Sequence, residues 1–188
     1  PVEDFVPEMI SVGFADECDT RVQLQDDKTV WTEGDQVTVF YLSDANQKWQ
    51  YQGVTGSRTG EFKMVENADA TNDLQEVVVV YPYSSKNYIN PISCKVKAFL
   101  PETQTYLKDS YGKGGNIMIS SGEYNQFSLK NVCGWLKLQI TGNAEKVTSI
   151  KLYGNDNEQV AGEVYIDPKT ALSTLASEIP ESDDDNSL

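Results

Sequence analysis

The segment from Glu76 to Tyr83 has the sequence EVVVVYPY, and the architecture of the chain can be worked out from it. Four consecutive valines form a run too short for a buried helix, and β-branched side chains favour the pleated surface of a strand. Because successive strand residues point to opposite faces, an unbroken apolar run predicts a strand covered on both sides. Pro82 lacks an amide hydrogen, so we expect the ladder to end there. The rest of the chain must supply a layer above this strand and another below it.

Short apolar or alternating segments flank this strand along the chain. The predicted strands span 9–15, 21–25, 36–42, 48–52 and 61–65 before it, and 92–100, 116–120, 123–132, 135–141, 147–153 and 159–167 after it. They recur at about 8–12-residue spacing with turn residues between them, and no long segment has a helical period. One helical turn is expected at 171–176. The pattern predicts an all-β fold, either a sandwich or a barrel.

The 188 residues are sufficient for one domain with its own core. We expect a flexible lead-in at 1–8, one β-domain at 9–170, and an acidic tail or linker at 171–188 that leads to a missing second domain. The predicted core includes five apolar strand residues: Val39, Val78, Val80, Leu138 and Ile150.

Composition argues against several classes of function. The formal net charge is -14, from 29 acidic and 15 basic residues, and a phosphate backbone would repel such a surface. Nucleic acid is therefore not an expected partner. The chain has no histidine, which removes the commonest general base and the usual zinc ligand. Cys18, Cys94 and Cys133 have no metal or redox spacing and are interpreted as small buried side chains, although one disulfide remains an open alternative.

Two acidic turns are candidates for catalytic or metal-binding groups. Glu33 and Asp35 flank Gly34, and 155–158 (NDNE) is a similar acidic turn. Neither has EF-hand spacing, so both are interpreted as solvated turns. We expect no cofactor, no metal and no enzymatic activity; a carboxylate-dependent glycosidase is the weakest of the hypotheses.

Two aromatic residues suggest a different function, the binding of a glycan. Trp49 and Tyr51 alternate with polar Lys48 and Gln50, which predicts that the two rings lie on one face of a strand. If that face were exposed, the rings would form a stacking platform for sugars. The alternative is that they belong to the core, as strand aromatics more often do.

Several segments together resemble the fimbrillin-like proteins of Bacteroides-type bacteria. The resemblance runs over roughly residues 9–167. It is carried by Thr20-Arg21, by Trp31-Thr32-Glu33-Gly34-Asp35 with Val37, Val39 and Phe40, by Tyr81-Pro82-Tyr83, by Leu100-Pro101 with Gln104, by Trp135-Leu136-Lys137-Leu138, and by Ala161-Gly162 before Val164 and Ile166.

The resemblance implies a type V pilus subunit or surface adhesin with a transthyretin-like, Greek-key β-sandwich and long loops. It implies export as a lipoprotein anchored in the outer membrane, and partners that are other pilus subunits together with a host or bacterial surface glycan or protein. The chain opens on Pro1 without Met, so we expect the export or lipid-attachment signal to lie upstream. By this resemblance the chain corresponds to the N-terminal domain of such a protein.

Some fimbrillin-like proteins are cleaved after an Arg in the first connection, which frees the first strand for replacement by a neighbour's strand. Here the corresponding residues are Arg21 and the strand Met9–Ala15, whose Ile10, Val12 and Phe14 face one side and whose Met9 faces the other. The strand is near the N-terminus and can leave without threading the chain. The main hypothesis is therefore a fimbrial subunit that assembles by strand exchange, and the alternatives are a fixed edge strand and a carbohydrate-binding surface lipoprotein.

Overall fold

The computed structural model describes residues 6–15, 24–25, 28–106, 114–123, 125–134, 138, 141–142, 147–154, 156 and 160–175. Within these ranges the chain forms thirteen strands and no helix, so the all-β prediction is confirmed. The strands are β1 (Met9–Phe14), β2 (Leu24–Gln25), β3 (Lys28–Thr29), β4 (Gln36–Ser43), β5 (Gln47–Tyr51), β6 (Thr59–Glu66), β7 (Asp73–Tyr81), β8 (Tyr88–Ile89), β9 (Val96–Leu100), β10 (Met118–Gly122), β11 (Gln126–Asn131), β12 (Gly162–Ile166) and β13 (Ser173–Leu175).

Seven of the described strands close into a barrel in the order β1-β11-β10-β7-β4-β5-β6. The first strand completes the ring, because it pairs in parallel with β11 and antiparallel with β6. A second sheet has the order β13-β12-β9-β8, and β2 pairs with β3 as a separate ribbon. The topology is therefore a closed barrel with a four-stranded layer beside it.

The valine strand β7 is buried on both faces, as predicted. Val77 and Val79 belong to the apolar cluster inside the barrel, together with Trp31 and Trp49. Val78 and Val80 belong to a second cluster that includes residues of β8, β9 and β12. β7 ends at Tyr81, directly before Pro82, where the missing amide hydrogen was expected to end the ladder.

The two strands beside β7 in the barrel, β4 and β10, also contribute side chains to both clusters. In β4, Val37 and Val39 face the barrel interior whereas Phe40 faces the second sheet. In β10, Met118 faces the interior and Ile119 the second sheet. Three adjacent barrel strands therefore form the middle layer of the molecule.

The core prediction is confirmed for three residues and wrong for two. Val39, Val78 and Val80 are buried, but Leu138 is 49% exposed and Ile150 is 52% exposed. The strand predicted at 147–153 is also wrong, since described residues 147–154 belong to no strand. Alternation only sorts side chains between two faces, whereas a strand also needs an edge to pair with. Residues 147–154 pair with no strand of the barrel or of the four-stranded sheet in the described part of the chain.

Two element boundaries also differ from the predictions. No helical turn forms at 171–175; instead β13 (Ser173–Leu175) pairs with β12, so the second sheet continues past residue 170. β9 begins at Val96 rather than at Ile92, because Cys94 has a φ of +56° and the backbone turns there.

Candidate functional site

The first strand, β1, lies in a slot between β6 and β11. We call this slot, together with Trp31, the β1 seat. On the β11 side, the paired residues run from Ser11 opposite Gln126 to Phe14 opposite Leu129. On the β6 side, the paired residues run from Met9 opposite Lys63 to Gly13 opposite Thr59. The Ser11 amide donates to the Asn125 carbonyl over 2.8 Å, and the Ala15 amide to the Leu129 carbonyl over 3.0 Å. The backbone of β1 is thus bound on both sides.

Three side chains of β1 point from the seat into the barrel. Ile10 and Val12 have no exposed surface, and Phe14 is 7% exposed. All three belong to the interior cluster. Burying an Ile, a Val and a Phe contributes roughly 5–9 kcal/mol in total, at about 1.5–3 kcal/mol each. Loss of β1 without replacement would therefore cost a large part of the stability of an ordinary domain.

Trp31 lies in the barrel beneath β1 and holds its backbone. The indole Nε1 donates a buried hydrogen bond to the Val12 carbonyl oxygen over 2.9 Å. The ring also packs against Phe14, with centroids 4.5 Å apart, and against Phe62 at 4.8 Å. Trp31 is fully buried, so this hydrogen bond is formed out of contact with water.

The backbone around Trp31 is itself anchored. The Trp31 amide donates to the Ser57 carbonyl over 2.7 Å, and the Trp31 carbonyl accepts from the Gly56 amide over 2.9 Å. The next four residues form a turn in which the Asp35 amide donates to the Thr32 carbonyl. In return, the Asp35 carboxylate accepts from the Thr32 amide over 2.8 Å. The sequence WTEGD at residues 31–35 therefore forms a turn that fixes the direction in which β4 begins.

Asp35 and Tyr81 form a hydrogen-bonded pair at this end of the barrel. Burial raises the pKa of Asp35 from 3.8 to about 6, although the Thr32 amide and the Tyr81 hydroxyl donate hydrogen bonds that oppose the rise. Burial also raises the pKa of Tyr81, and the Asp35 charge and the hydrogen bond add to that rise. The Tyr81 ring packs 5.6 Å from Trp31, centroid to centroid, so the pair braces the residue that holds β1.

The outer rim of the seat is weakly held. Met9 is 44% exposed, and Glu8 forms an ion pair with Lys63 over 3.3 Å in which both side chains are largely exposed. Solvent screens such a pair, so it contributes little to stability. The affinity of the seat for β1 comes from the buried side of the strand.

The structure bears on the strand hypothesis in two respects. Ile10, Val12 and Phe14 share the buried face and Met9 the opposite one, as the alternation predicted. The alternative of a fixed edge strand is wrong as to the edge, because β1 has a neighbour on each side in a closed barrel; exchange of the strand stays a prediction. Arg21, the candidate cleavage residue, lies outside the described residues, so its cleavage stays a prediction.

The exposed stacking face considered for Trp49 and Tyr51 is not observed, and the alternative that both rings belong to the core is confirmed. Trp49 is fully buried and Tyr51 is 4% exposed, and both face the barrel interior. The Trp49 indole donates to Gln47 Oε1 over 3.1 Å, and the Tyr51 hydroxyl donates to the Val54 carbonyl over 2.9 Å. Rings enclosed in this way present no stacking face to a sugar. The alternation of β5 was correctly identified, but the aromatic face is the inner one.

Other candidate chemistry is not brought together. Among the described residues, no cluster of three or more His, Cys, Asp or Glu side chains is placed to hold a metal ion, and no helix is long and apolar enough to cross a membrane. Cys94 and Cys133 are free thiols; Cys94 is exposed, contrary to the prediction, because it lies in the turn before β9. Burial raises the pKa of Cys133, which makes its thiol less reactive.

Sequence reasoning missed the role of Trp31. Trp31 was named only in a segment that carries the family resemblance, and its hydrogen bond joins residues 19 positions apart. The signal available was the turn sequence that directly follows it, which fixes the backbone direction at that point.

Comparisons with protein-family models, with curated proteins and with solved structures find no match to this chain. The resemblance to fimbrillin-like proteins therefore stays a prediction.

Proposed function

We propose that this chain is a non-enzymatic structural subunit, or an anchor or tip adhesin, of a bacterial surface fimbria, and that it assembles by strand exchange. The observation that carries the proposal is the seating of the N-terminal strand. β1 inserts three apolar side chains into a barrel whose other six strands follow it in the chain. Because β1 precedes the other six barrel strands, one cut in the connection that follows it would separate it from the rest of the barrel.

The energetics of the seat favour replacement of β1 over its simple loss. An empty seat would expose the apolar pockets of Ile10, Val12 and Phe14 together with the unpaired edges of β6 and β11. A strand from another subunit would recover the same main-chain bonds and fill the same pockets. Exchange is then close to neutral in free energy, whereas loss of the strand costs several kcal/mol.

The family resemblance supplies the biological setting of the proposal. It favours export as a lipoprotein, anchoring at the outer membrane, and partners that are other pilus subunits. We include in the proposal that the barrel and its second sheet are a variant of the transthyretin-like, Greek-key sandwich. The apolar cluster between β7 and the second sheet supports this comparison, since a sandwich packs two sheets face to face around one core.

The proposal is tested by cutting the first connection and offering a replacement strand. Arg21 and Arg58 are the only arginines in the sequence, so an arginine-specific protease can cut the Arg58→Lys protein only after Arg21. The cut chain is then incubated with a fluorescent peptide of residues 8–16, and incorporation is followed by anisotropy and by size-exclusion chromatography.

We expect the labelled peptide to displace β1 over hours and to remain bound. A matched peptide carrying Val12→Asp should not enter, because it would place a charge in a fully buried pocket. If the cut protein remains folded by circular dichroism but excludes the parent peptide on prolonged incubation, strand exchange is wrong for this domain.

A further inference from the structure

We propose that the β1 seat selects its donor strand by sequence: apolar residues at the first, third and fifth positions and glycine at the fourth, as in Ile10–Phe14. The occupant is a strand segment of another subunit that carries this pattern. The selection rests on the proposed function, since it concerns which strand can replace β1. It goes further because it assigns the choice of partner to individual contacts, above all to one between Gly13 and Thr59.

Gly13 is the position of β1 at which an added side chain would collide with β6. It lies opposite Thr59 of β6 and Ser128 of β11. A Cβ atom added to Gly13 would lie 2.8 Å from Thr59 Cγ2 and 3.4 Å from the Arg58 carbonyl oxygen. The first distance is well inside van der Waals contact. The φ of Gly13 lies outside the left-handed region, so space, and not backbone conformation, excludes a larger residue.

The backbone of Thr59 has little freedom to move away, while its side chain is exposed. Its side chain is β-branched and therefore stiff at χ1. Its carbonyl accepts a hydrogen bond from the Ser57 hydroxyl, and the two residues of β6 that follow it pair with β1. Any residue with a Cβ at the fourth position must therefore force the Thr59 side chain out of its preferred χ1 rotamer or displace the donor strand.

The other positions of the seat select in a simpler way. The first and third positions, occupied by Ile10 and Val12, are fully enclosed, and the fifth places Phe14 against Trp31. These pockets accept apolar side chains and exclude charged ones. The indole of Trp31 binds the carbonyl of the third position, which every residue has, so it fixes register without adding side-chain selectivity.

The crowding at Gly13 can be measured in the intact chain. With free space, Gly13→Ala would stabilise the protein, because alanine restricts the unfolded chain. With the contact described, we expect a melting temperature lower by about 3–10 °C, as for other overpacked sites in chains of this size.

The compensating change is Thr59→Ala, which removes Cγ2 and leaves the nearest Thr59 atom, Cβ, 3.7 Å from the new methyl group. The double variant should regain most of the lost stability. Gly122→Ala is the matched control, since its Cβ would meet Phe127 at an ordinary 3.6 Å and should not lower the melting temperature. A Gly13→Ala protein as stable as the parent would overturn the proposal.

Donor selection itself is measured in the cut Arg58→Lys protein with two labelled peptides of residues 8–16, the parent and Gly13→Ala. We expect the Gly13→Ala peptide to bind about 10–100-fold more weakly, and the ratio to approach one when the receptor carries Thr59→Ala. If neither peptide enters a folded receptor, the proposed function fails and the selection fails with it. If both enter equally well, strand exchange stands and the selection by glycine is wrong.

Discussion

Trp31→Phe should loosen the first strand more than any other part of the barrel. The change removes the indole N–H that donates to the Val12 carbonyl over 2.9 Å. Removing this donor from a buried acceptor costs about 1–3 kcal/mol. The smaller ring also leaves a void in a fully buried aromatic cluster, which adds about 1–2 kcal/mol. We therefore expect the free energy of unfolding to fall by about 2–5 kcal/mol and the melting temperature by about 5–15 °C.

The location of the effect distinguishes this prediction from a general loss of packing. Trp49→Phe is the matched control, because Trp49 is equally buried in the same cluster but donates to Gln47 Oε1 within its own strand. Chemical denaturation measures the global loss for each variant. Hydrogen exchange with mass spectrometry then reports the opening of the peptide that contains β1.

In Trp31→Phe, we expect the amides of Met9–Phe14 to exchange faster than the global loss of stability explains. In Trp49→Phe, exchange of the same amides should follow the global loss. The reasoning is refuted if the two variants show the same exchange in β1, because the indole bond would then hold the strand no more firmly than ordinary packing does.

Three further outcomes are expected. Val80→Asp should lower the free energy of unfolding by more than about 4 kcal/mol in denaturant titration, because it places an unpaired charge between two apolar layers; a parent-like transition would contradict the assignment of β7 as the middle strand. The Asp35 pKa is raised to about 6, so its stabilising contribution is full below about 3.8 and is lost as pH rises through 6. Relative to the parent, Asp35→Asn should therefore gain about 2 kcal/mol between pH 4 and pH 7 after allowance for partial exposure, and a constant difference between the two denaturation curves would exclude this linkage. Partial burial of Asp44 raises its pKa, but four hydrogen bonds from Thr71 and Asn72 outweigh that effect and hold the pKa well below its usual range. Asp44→Ala should cost about 1 kcal/mol at pH 7 and progressively less as the carboxylate of the parent is protonated in acid; an equal cost at pH 7 and pH 2 would show that the carboxylate charge is not responsible.

The sequence pattern was sufficient to predict those features that depend on the residues of a single strand or turn. The valine run of β7 requires cover on both faces, and the alternation in Met9–Ala15 separates a buried face from an outer one. Both features were predictable because the side-chain period of a strand is two, whatever it pairs with. The turn after Trp31 was predictable for the same reason, since its Gly and Asp act on their own backbone.

The sequence pattern failed to predict those features that depend on contact with a segment distant in the chain. Alternation in β5 separates Trp49 and Tyr51 from their polar neighbours, but only closure of the barrel makes their face the inner one. Residues 147–153 alternate as well as β1 does, yet they form no strand. The hydrogen bond from Trp31 to Val12 and the tight approach of Thr59 to Gly13 exist only because ring closure brings those segments together. The amino-acid sequence thus specified which faces are apolar, while the tertiary structure decided which strands meet, because pairing depends on contacts between residues far apart in the chain.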